Sequence, residues 1–257
     1  PKAMVGYLSP NHRREITGNE HVRKAFLQAI DKETFAKEIL GDGSTALNGF
    51  VPANFAKNPD TGEDFRKENG DLLPYNIKEA QANWNKAKEE LGKDKIELEL
   101  ISADSAIAKK TIEFVQGQLQ QNLPGLTIKL KSLPLQNRLD LQTAGNYDLA
   151  FGTWTPDYAD PFNFLEFYDS KSGLNTSGYN DSAYDAGLQK VRKDYANEPE
   201  KRWNELLSLE KTLIEKDAGV LPLFQGAIGY LKSDRLQGLQ VFSFGRTVSY
   251  RLAYVEE

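Results

Sequence analysis

Trp154, Asp157, Tyr158 and Asp160 fall within residues 152–165 (GTWTPDYADPFNFL), directly after an apolar run. The two carboxylates can accept hydrogen bonds from a cationic group, and the two rings offer flat faces with a polar edge. Together they suit a ligand that carries an amine. The same residue types also fit a plainer role. Trp and Phe after a strand serve as core plugs, and Asp beside Pro forms turns through its own side chain.

The elements that must hold this loop are readable from periodicity. Residues 147–151 (YDLAF) read as a short buried strand, and Pro156 and Pro161 stop regular structure from continuing. Residues 95–102 (KIELELIS) and 126–132 (LTIKLKS) alternate with period two, with a helical pattern at 107–121 between them and a short helix expected over 133–142. Three strands separated by helices predict right-handed crossovers and parallel pairing. Ligands of such sheets gather beyond the carboxyl ends of the strands, which is where the Trp154 loop leaves.

Upstream, residues 19–40 place Val22, Ala25, Phe26, Ala29 and Ile30 on one helical face, and Asp31 can cap a second short helix. The chain's opening, including Tyr7 and Leu8, reads as a loop. Residues 41–70 are rich in Gly, Pro, Asn and Asp and predict a long surface excursion. Residues 76–91 form a charged amphipathic helix burying Ala80, Trp84, Ala87 and Leu91, with Gly92 as its left-handed cap. Residues 182–195 and 199–217 predict two further helices. Pro222 demotes 220–224 to an edge or irregular extended segment, 227–232 reads as extended, and the aromatic tail 239–254 is expected to pair onto another sheet.

Composition narrows the class. The chain has 257 residues, 39% hydrophobic and 27% charged, enough for a sizeable core and ordinary for a globular protein. A net charge of −5 without a dense Lys/Arg cluster argues against nucleic acid as partner. The absence of cysteine excludes disulfides, thiolate metal sites and Cys nucleophiles. The opening residues lack the charged and apolar regions of a signal peptide, so the chain reads as cytoplasmic or as a trimmed piece, and the abrupt start favours the piece.

Other chemistry finds little support. His12 and His21 are too few for a zinc triad, and Gly41-Asp42-Gly43 lacks the glycines and strand context of a phosphate loop. Asp60, Glu63 and Asp64 do not follow a calcium-loop spacing. Asp157 and Asp160 could be a glycosidase pair, but three residues apart in one loop they can hardly flank a bond from opposite sides.

Several stretches resemble the C-terminal half of the extracytoplasmic oligopeptide- and dipeptide-binding proteins that feed ABC importers, over almost the whole chain. Residues 19–33 (NEHVRKAFLQAIDKE) are similar to that family's d-x-x-V-R-x-A-l-x-x-A-I-D-r-e signature, and 75–91 to its Y-x-x-x-x-A-x-x-l-L helix. Residues 154–161 (WTPDYADP) resemble its W-x-x-D-x-x-D-P loop, followed at family-like spacing by Asn175, Tyr179 and Asp185. The resemblance implies an α/β, periplasmic-binding-protein-like (type II) lobe with a mixed sheet flanked by helices. It implies that Asp157 pairs with the ligand peptide's α-amino group beside Trp154 and Tyr158. Asn175, Thr176, Phe224 and Gln225 fall where the family places further lining residues.

One departure is visible. Family members that fix a short peptide's carboxylate often use basic residues on the strand before the loop, and residues 147–151 contain none. Longer peptides, or a carboxylate bound from the other half, would account for this. Family proteins are two-lobed and about twice this length. The implied division is a linker or hinge at 1–18, a ligand-binding lobe at 19–235 and a segment at 236–257 returning toward a missing N-terminal lobe. The implied partners are oligopeptides, membrane permease subunits and that lobe, with an extracytoplasmic location as a periplasmic protein or anchored lipoprotein, no cofactor and no catalysis. The family also includes binders of other solutes, and an oligosaccharide stacked on Trp154 is the alternative ligand. Loss of a partner lobe predicts an exposed apolar patch around Trp154 and Phe224.

Overall fold

The computed structural model describes residues 1–256. Six strands make one sheet in the order β2-β6-β1-β5-β3-β4. They are β1 (Val5–Pro10), β2 (Thr45–Ala46), β3 (Ile96–Ala103), β4 (Leu126–Leu133), β5 (Leu149–Trp154) and β6 (Leu221–Gln225). β3 runs parallel to β4 and to β5, as the alternation of strands and helices predicts, while β1 lies antiparallel between β5 and β6. The sheet is therefore mixed, and β3, β4, β5 and β6 all end at the edge where β1 begins.

β1 corrects the sequence reading, which places residues 7 and 8 in a loop. All six of its residues are buried. A strand covered on both faces shows no polar alternation, and its neighbours are remote in sequence, Val5 standing opposite both Trp154 and Gln225. Residues 1–18 thus carry a strand inside the sheet as well as a connection. Gly6 is required there, because a Cβ would come within 2.1 Å of the Phe224 ring.

β6 joins the sheet, and it is irregular at Pro222, as the sequence reading of an edge or irregular extended segment expects. The register with β1 slips between Gly6 and Tyr7, opposite Pro222, and β2 reaches only Phe224 and Gln225. Irregular pairing of this kind is where a sheet tolerates a residue without an N–H.

The helices are α1 (Glu20–Gln28), α2 (Lys32–Thr34), α3 (Phe65–Asn69), α4 (Ile77–Leu91), α5 (Ala106–Asn122), α6 (Leu135–Thr143), α7 (Phe162–Leu165), α8 (Ser182–Gln189) and α9 (Pro199–Lys211). Asn19 and Asp31 cap α1 and α2, accepting from Val22 N at 3.1 Å and Thr34 N at 3.0 Å. Gly92 closes α4 at φ +63°, where a Cβ would be strained. α1 and α5 pack against the sheet, and α4 packs on α1, with Trp84 against Phe26 at 6.0 Å. Three helices finish in wider π-type turns at 35–40, 190–194 and 212–216.

The excursion over 41–70 is largely irregular, as expected, apart from β2 and α3. It is fastened to α9 by a buried cluster. Glu210, with no solvent exposure, accepts from Phe50 N at 2.7 Å, Val51 N at 2.8 Å, Arg66 Nη1 at 2.8 Å and Asn69 Nδ2 at 2.6 Å. This places Phe50 beneath the sheet, edge-on to Tyr7 at 5.3 Å and to Tyr168 at 5.4 Å.

The tail forms two small ladders apart from the main sheet, β7 (Leu236–Gln237) with β10 (Tyr254–Val255) and β8 (Gln240–Val241) with β9 (Val248–Ser249). Residues 227–232, read as extended, join no strand. The tail touches the main body through Ala3 N to Ser243 O at 2.9 Å and Phe55 against Phe244 at 5.8 Å. The apolar patch expected around Trp154 and Phe224 is not there, because Phe224 is fully buried. Exposed apolar side chains gather instead on the tail and the segment before it, at Ile228, Tyr230, Leu231, Tyr250, Leu252 and Tyr254.

Candidate functional site

β5 runs farther than the sequence pattern implies. Pairing with β1 continues to Trp154 opposite Val5, so Gly152 and Thr153 are strand residues and the loop begins at Thr155. Trp154 is therefore fixed by the sheet at the edge where four strands end. Its ring is half-buried against Phe167, edge-on at 5.0 Å, and its indole N–H is buried without an acceptor among the described residues. Phe167 in turn packs on Tyr168 at 5.1 Å, which joins the Phe50 and Tyr7 cluster.

The two carboxylates of the loop have opposite fates. Asp160 accepts from Phe162 N at 2.8 Å and pairs with Arg202 at 2.9 Å, so it opens α7 and ties the loop to α9. Asp157 is exposed, and its carboxylate has neither a hydrogen bond nor an ion pair among the described residues. Its backbone N–H is held by Asn163 Oδ1 at 3.0 Å, which fixes the loop without engaging the carboxylate. Tyr158, 42% exposed, donates its hydroxyl to Glu166, and burial together with that carboxylate pushes its pKa up.

Trp154, Asp157 and Tyr158 are thus brought together, and the other expected lining residues are not. Asn175 donates to the carbonyls of Tyr168, Asp169 and Tyr179 at 3.4, 3.2 and 2.8 Å, holding a turn. The Thr176 carbonyl accepts from Arg13 Nη2 at 2.5 Å and Tyr147 Oη at 3.3 Å. Among the described residues neither makes a hydrogen bond to residues 154–161. Phe224 is a core residue packed between Phe35 and Phe151 at 5.7 and 6.4 Å. Gln225 lies across β1 from Trp154, but its amide is spent on Ala53 N, Ala53 O and Lys2 O at 2.9, 3.0 and 2.9 Å. For these four the geometry supplies backbone and core support in place of a lining surface.

The supporting residues were not singled out from the sequence. Phe167 and Glu166 belong to the aromatic run FNFLEFY just past the loop, which was a legible signal, whereas nothing local pointed to Arg202. A hollow of 390 Å³ lies beside the loop, lined by Phe55, Asp160, Pro161, Arg202 and Trp203 among others. It does not include Asp157 or Trp154, and its only carboxylate is already paired, so it lacks the unspent chemistry of the loop itself. Among the described residues no cluster of His, Asp and Glu is arranged to hold a metal, and no helix is long and apolar enough to cross a membrane.

Comparison with known proteins agrees with this architecture. The profile of the bacterial extracellular solute-binding proteins, family 5, middle, matches residues 1–176. A dipeptide-binding protein of Lactococcus lactis subsp. cremoris (strain MG1363) is 31% identical over 250 residues, covering 96% of this chain and 45% of its own length. The structure of Listeria monocytogenes OppA bound to peptide superimposes with a TM-score of 0.88 at 36% identity, over 100% of this chain and 49% of that one. The substrate-binding domain of an oligopeptide ABC transporter from Bacillus anthracis str. Ames gives 0.90 at 33% identity, over 100% and 50%. The chain spans about half the length of the curated relatives it matches. Its sheet, its loop and these likenesses together place the chain in family 5 of the bacterial extracellular solute-binding proteins.

Proposed function

We propose that this chain is one lobe of a two-lobed extracytoplasmic receptor that captures peptides for an ABC importer, with Asp157 holding the peptide's α-amino group. The observation that carries the reading is the contrast within one loop: Asp160 is spent on structure, while Asp157 is fixed in place with its carboxylate unspent. A carboxylate meeting an ammonium in a closing cleft makes a charge-assisted hydrogen bond that selects the peptide terminus without reading side chains. Trp154 and Tyr158 flank it with apolar faces and one orphaned N–H.

The proteins of Lactococcus and Listeria named above are a dipeptide-binding protein and a peptide-bound receptor, which supports the ligand class. A glycosidase would need a second carboxylate opposite Asp157, and Asp160 is neutralised by Arg202 on the same side. The reading is therefore of a binding protein without catalysis or cofactor. The exposed apolar side chains along residues 228–255 support the further proposal that the segment from 236 returns to a second lobe. Permease subunits are the partners proposed for the closed, loaded receptor, which is periplasmic or lipid-anchored.

Calorimetric titration of the full-length protein with free and N-acetylated peptides, in wild type and Asp157→Ala, tests this. Free peptides bind, and either acetylation or the substitution weakens binding by at least thirtyfold. Equal affinity for acetylated peptides, or binding of oligosaccharides alone, overturns it.

A further inference from the structure

Arg138 is a half-buried cation that the lobe leaves uncompensated. It stands on α6, and its side chain reaches back to β5, where Nη1 donates to the Phe151 carbonyl at 3.0 Å. That carbonyl is free because β3 pairs with β5 only at Leu149 and Ala150. Among the described residues no other acceptor is hydrogen-bonded to the guanidinium. Nε is buried without an acceptor, Nη2 has no hydrogen bond and is open to solvent, and no carboxylate lies within ion-pair distance among the described residues. Burial holds its pKa below the usual arginine value, with the nearby tyrosines Tyr7 and Tyr147 opposing that shift.

The surroundings are specific. Gly152 faces Tyr7 across the β1–β5 pairing, and a Cβ at 152 would stand 3.2 Å from Arg138 Nη1 and 3.4 Å from Tyr7 Oη. The glycine is what lets the guanidinium and the phenol close over the strand. A buried charge without a partner is costly, and it persists where an anion arrives from outside. Nη2, the donor open to solvent, is the one that an arriving carboxylate can meet with a charge-assisted hydrogen bond.

We infer that Arg138, with Tyr7 beside it, is the anion subsite that receives the carboxylate of a short peptide whose amine is held by Asp157. The inference rests on the peptide reading above. It also answers the missing basic residue on the strand, because the cation comes from the helix before the strand. Gly152 and Asp157 are five residues apart, and a chain of that length spans at most roughly 17 Å. A ligand bridging the two anchors is then limited to about five residues in extended form.

The test titrates the full-length protein with trialanine, trialanine amide and N-acetyl-trialanine, in wild type, Arg138→Gln and Arg138→Lys. In wild type, amidation weakens binding by at least about thirtyfold. Arg138→Gln weakens the free acid by a similar factor and the amide less than about threefold, and Arg138→Lys restores part of the loss for the acid alone. Equal weakening of acid and amide by Arg138→Gln assigns the residue a structural role and overturns the inference. If wild type binds acid and amide alike while acetylation abolishes binding, the carboxylate subsite falls and the amine anchor stands. If no peptide binds, both fall.

Discussion

Glu210 offers the sharpest test of how the lobe is held together. Its carboxylate serves four donors with no exposure, and Arg66, itself buried, has Nε and Nη2 without partners. Arg66 therefore depends on Glu210 for all its charge compensation. Glu210→Ala leaves a buried guanidinium, two backbone N–H groups and an amide unmet. Removing one member of a buried pair costs about 3–5 kcal/mol, and the orphaned Phe50 and Val51 N–H groups add to this, for a total of about 4–7 kcal/mol. Glu210→Gln keeps an oxygen for both N–H groups and turns an amide toward Asn69, whose own Oδ1 is unpartnered and can rotate to meet it at the loss of its 3.2 Å bond to Leu207 O. The neutral variant should cost about half as much, and Arg66→Met combined with it should recover at least about 2 kcal/mol relative to additivity. Urea unfolding followed by far-ultraviolet circular dichroism reads these differences as midpoint shifts at constant slope. A loss below about 1 kcal/mol for Glu210→Ala, or strict additivity in the double variant, refutes the argument that this cluster fastens the excursion.

Lys32 is buried, with Nζ on Asn48 Oδ1 at 2.7 Å and Leu47 O at 3.4 Å, and burial pushes its pKa down to about 7. The unfolded chain holds that proton up to about 10.4, so through this window it binds more protons and stability rises with pH. Lys32's share is lost as pH falls toward 7, an effect of at most roughly 5 kcal/mol, and Lys32→Met should flatten it in urea midpoints taken across the range. Gly6→Ala drives a methyl into the Phe224 ring at 2.1 Å and should cost more than about 3 kcal/mol, or block folding; an unchanged melting temperature would show that β1 and β6 separate freely. Asp160→Asn breaks the Arg202 pair and lowers the melting temperature by a few degrees, an effect of about 1 kcal/mol at this partly exposed site, whereas Asp157→Asn leaves melting unchanged and removes amine recognition. The reverse pattern would exchange the two roles.

Much of the frame was legible because local rules act alone there. Asn19, Asp31 and Gly92 are end signals that need no tertiary knowledge, and KIELELIS and LTIKLKS show their alternation because one face of each strand stays polar. The ladder of Glu97 with Lys129 and Glu99 with Lys131, at 2.6 and 3.4 Å, is that polar face. β1 was not legible because both its faces are covered and its partners come from the far end of the chain. Pro222 marked an irregular extended segment, and a register slip is what lets β6 pair with β1 around it. Asn175 and Thr176 are expected from likeness in spacing, and spacing does not show that Asn175 turns its amide to the carbonyls of Tyr168, Asp169 and Tyr179. Glu210 sits in a charged helix and reads as solvent-facing. It nevertheless falls seven residues after Trp203 and four after Leu206, on the stripe that α9 buries.

The unspent state of Asp157 is itself something the loop must arrange. A short acidic side chain in a turn ordinarily turns back on its own backbone, as Asp31 does to Thr34 N and Asp160 to Phe162 N. An Asp157 bonded in that way would set every ligand amine in competition with an internal donor. Here Asn163 reaches over and takes the Asp157 N–H, Arg202 goes to Asp160, and Glu166 takes the Tyr158 hydroxyl, so these three polar groups are matched with something other than the Asp157 carboxylate. Phe167 and the cluster under it hold Trp154 still while this happens. An anchor prepared in this way loses little ordering entropy when the ammonium arrives. Asn163→Ala, which touches no ligand atom, should therefore release the Asp157 backbone and weaken binding of free peptides while leaving discrimination against N-acetyl peptides in place.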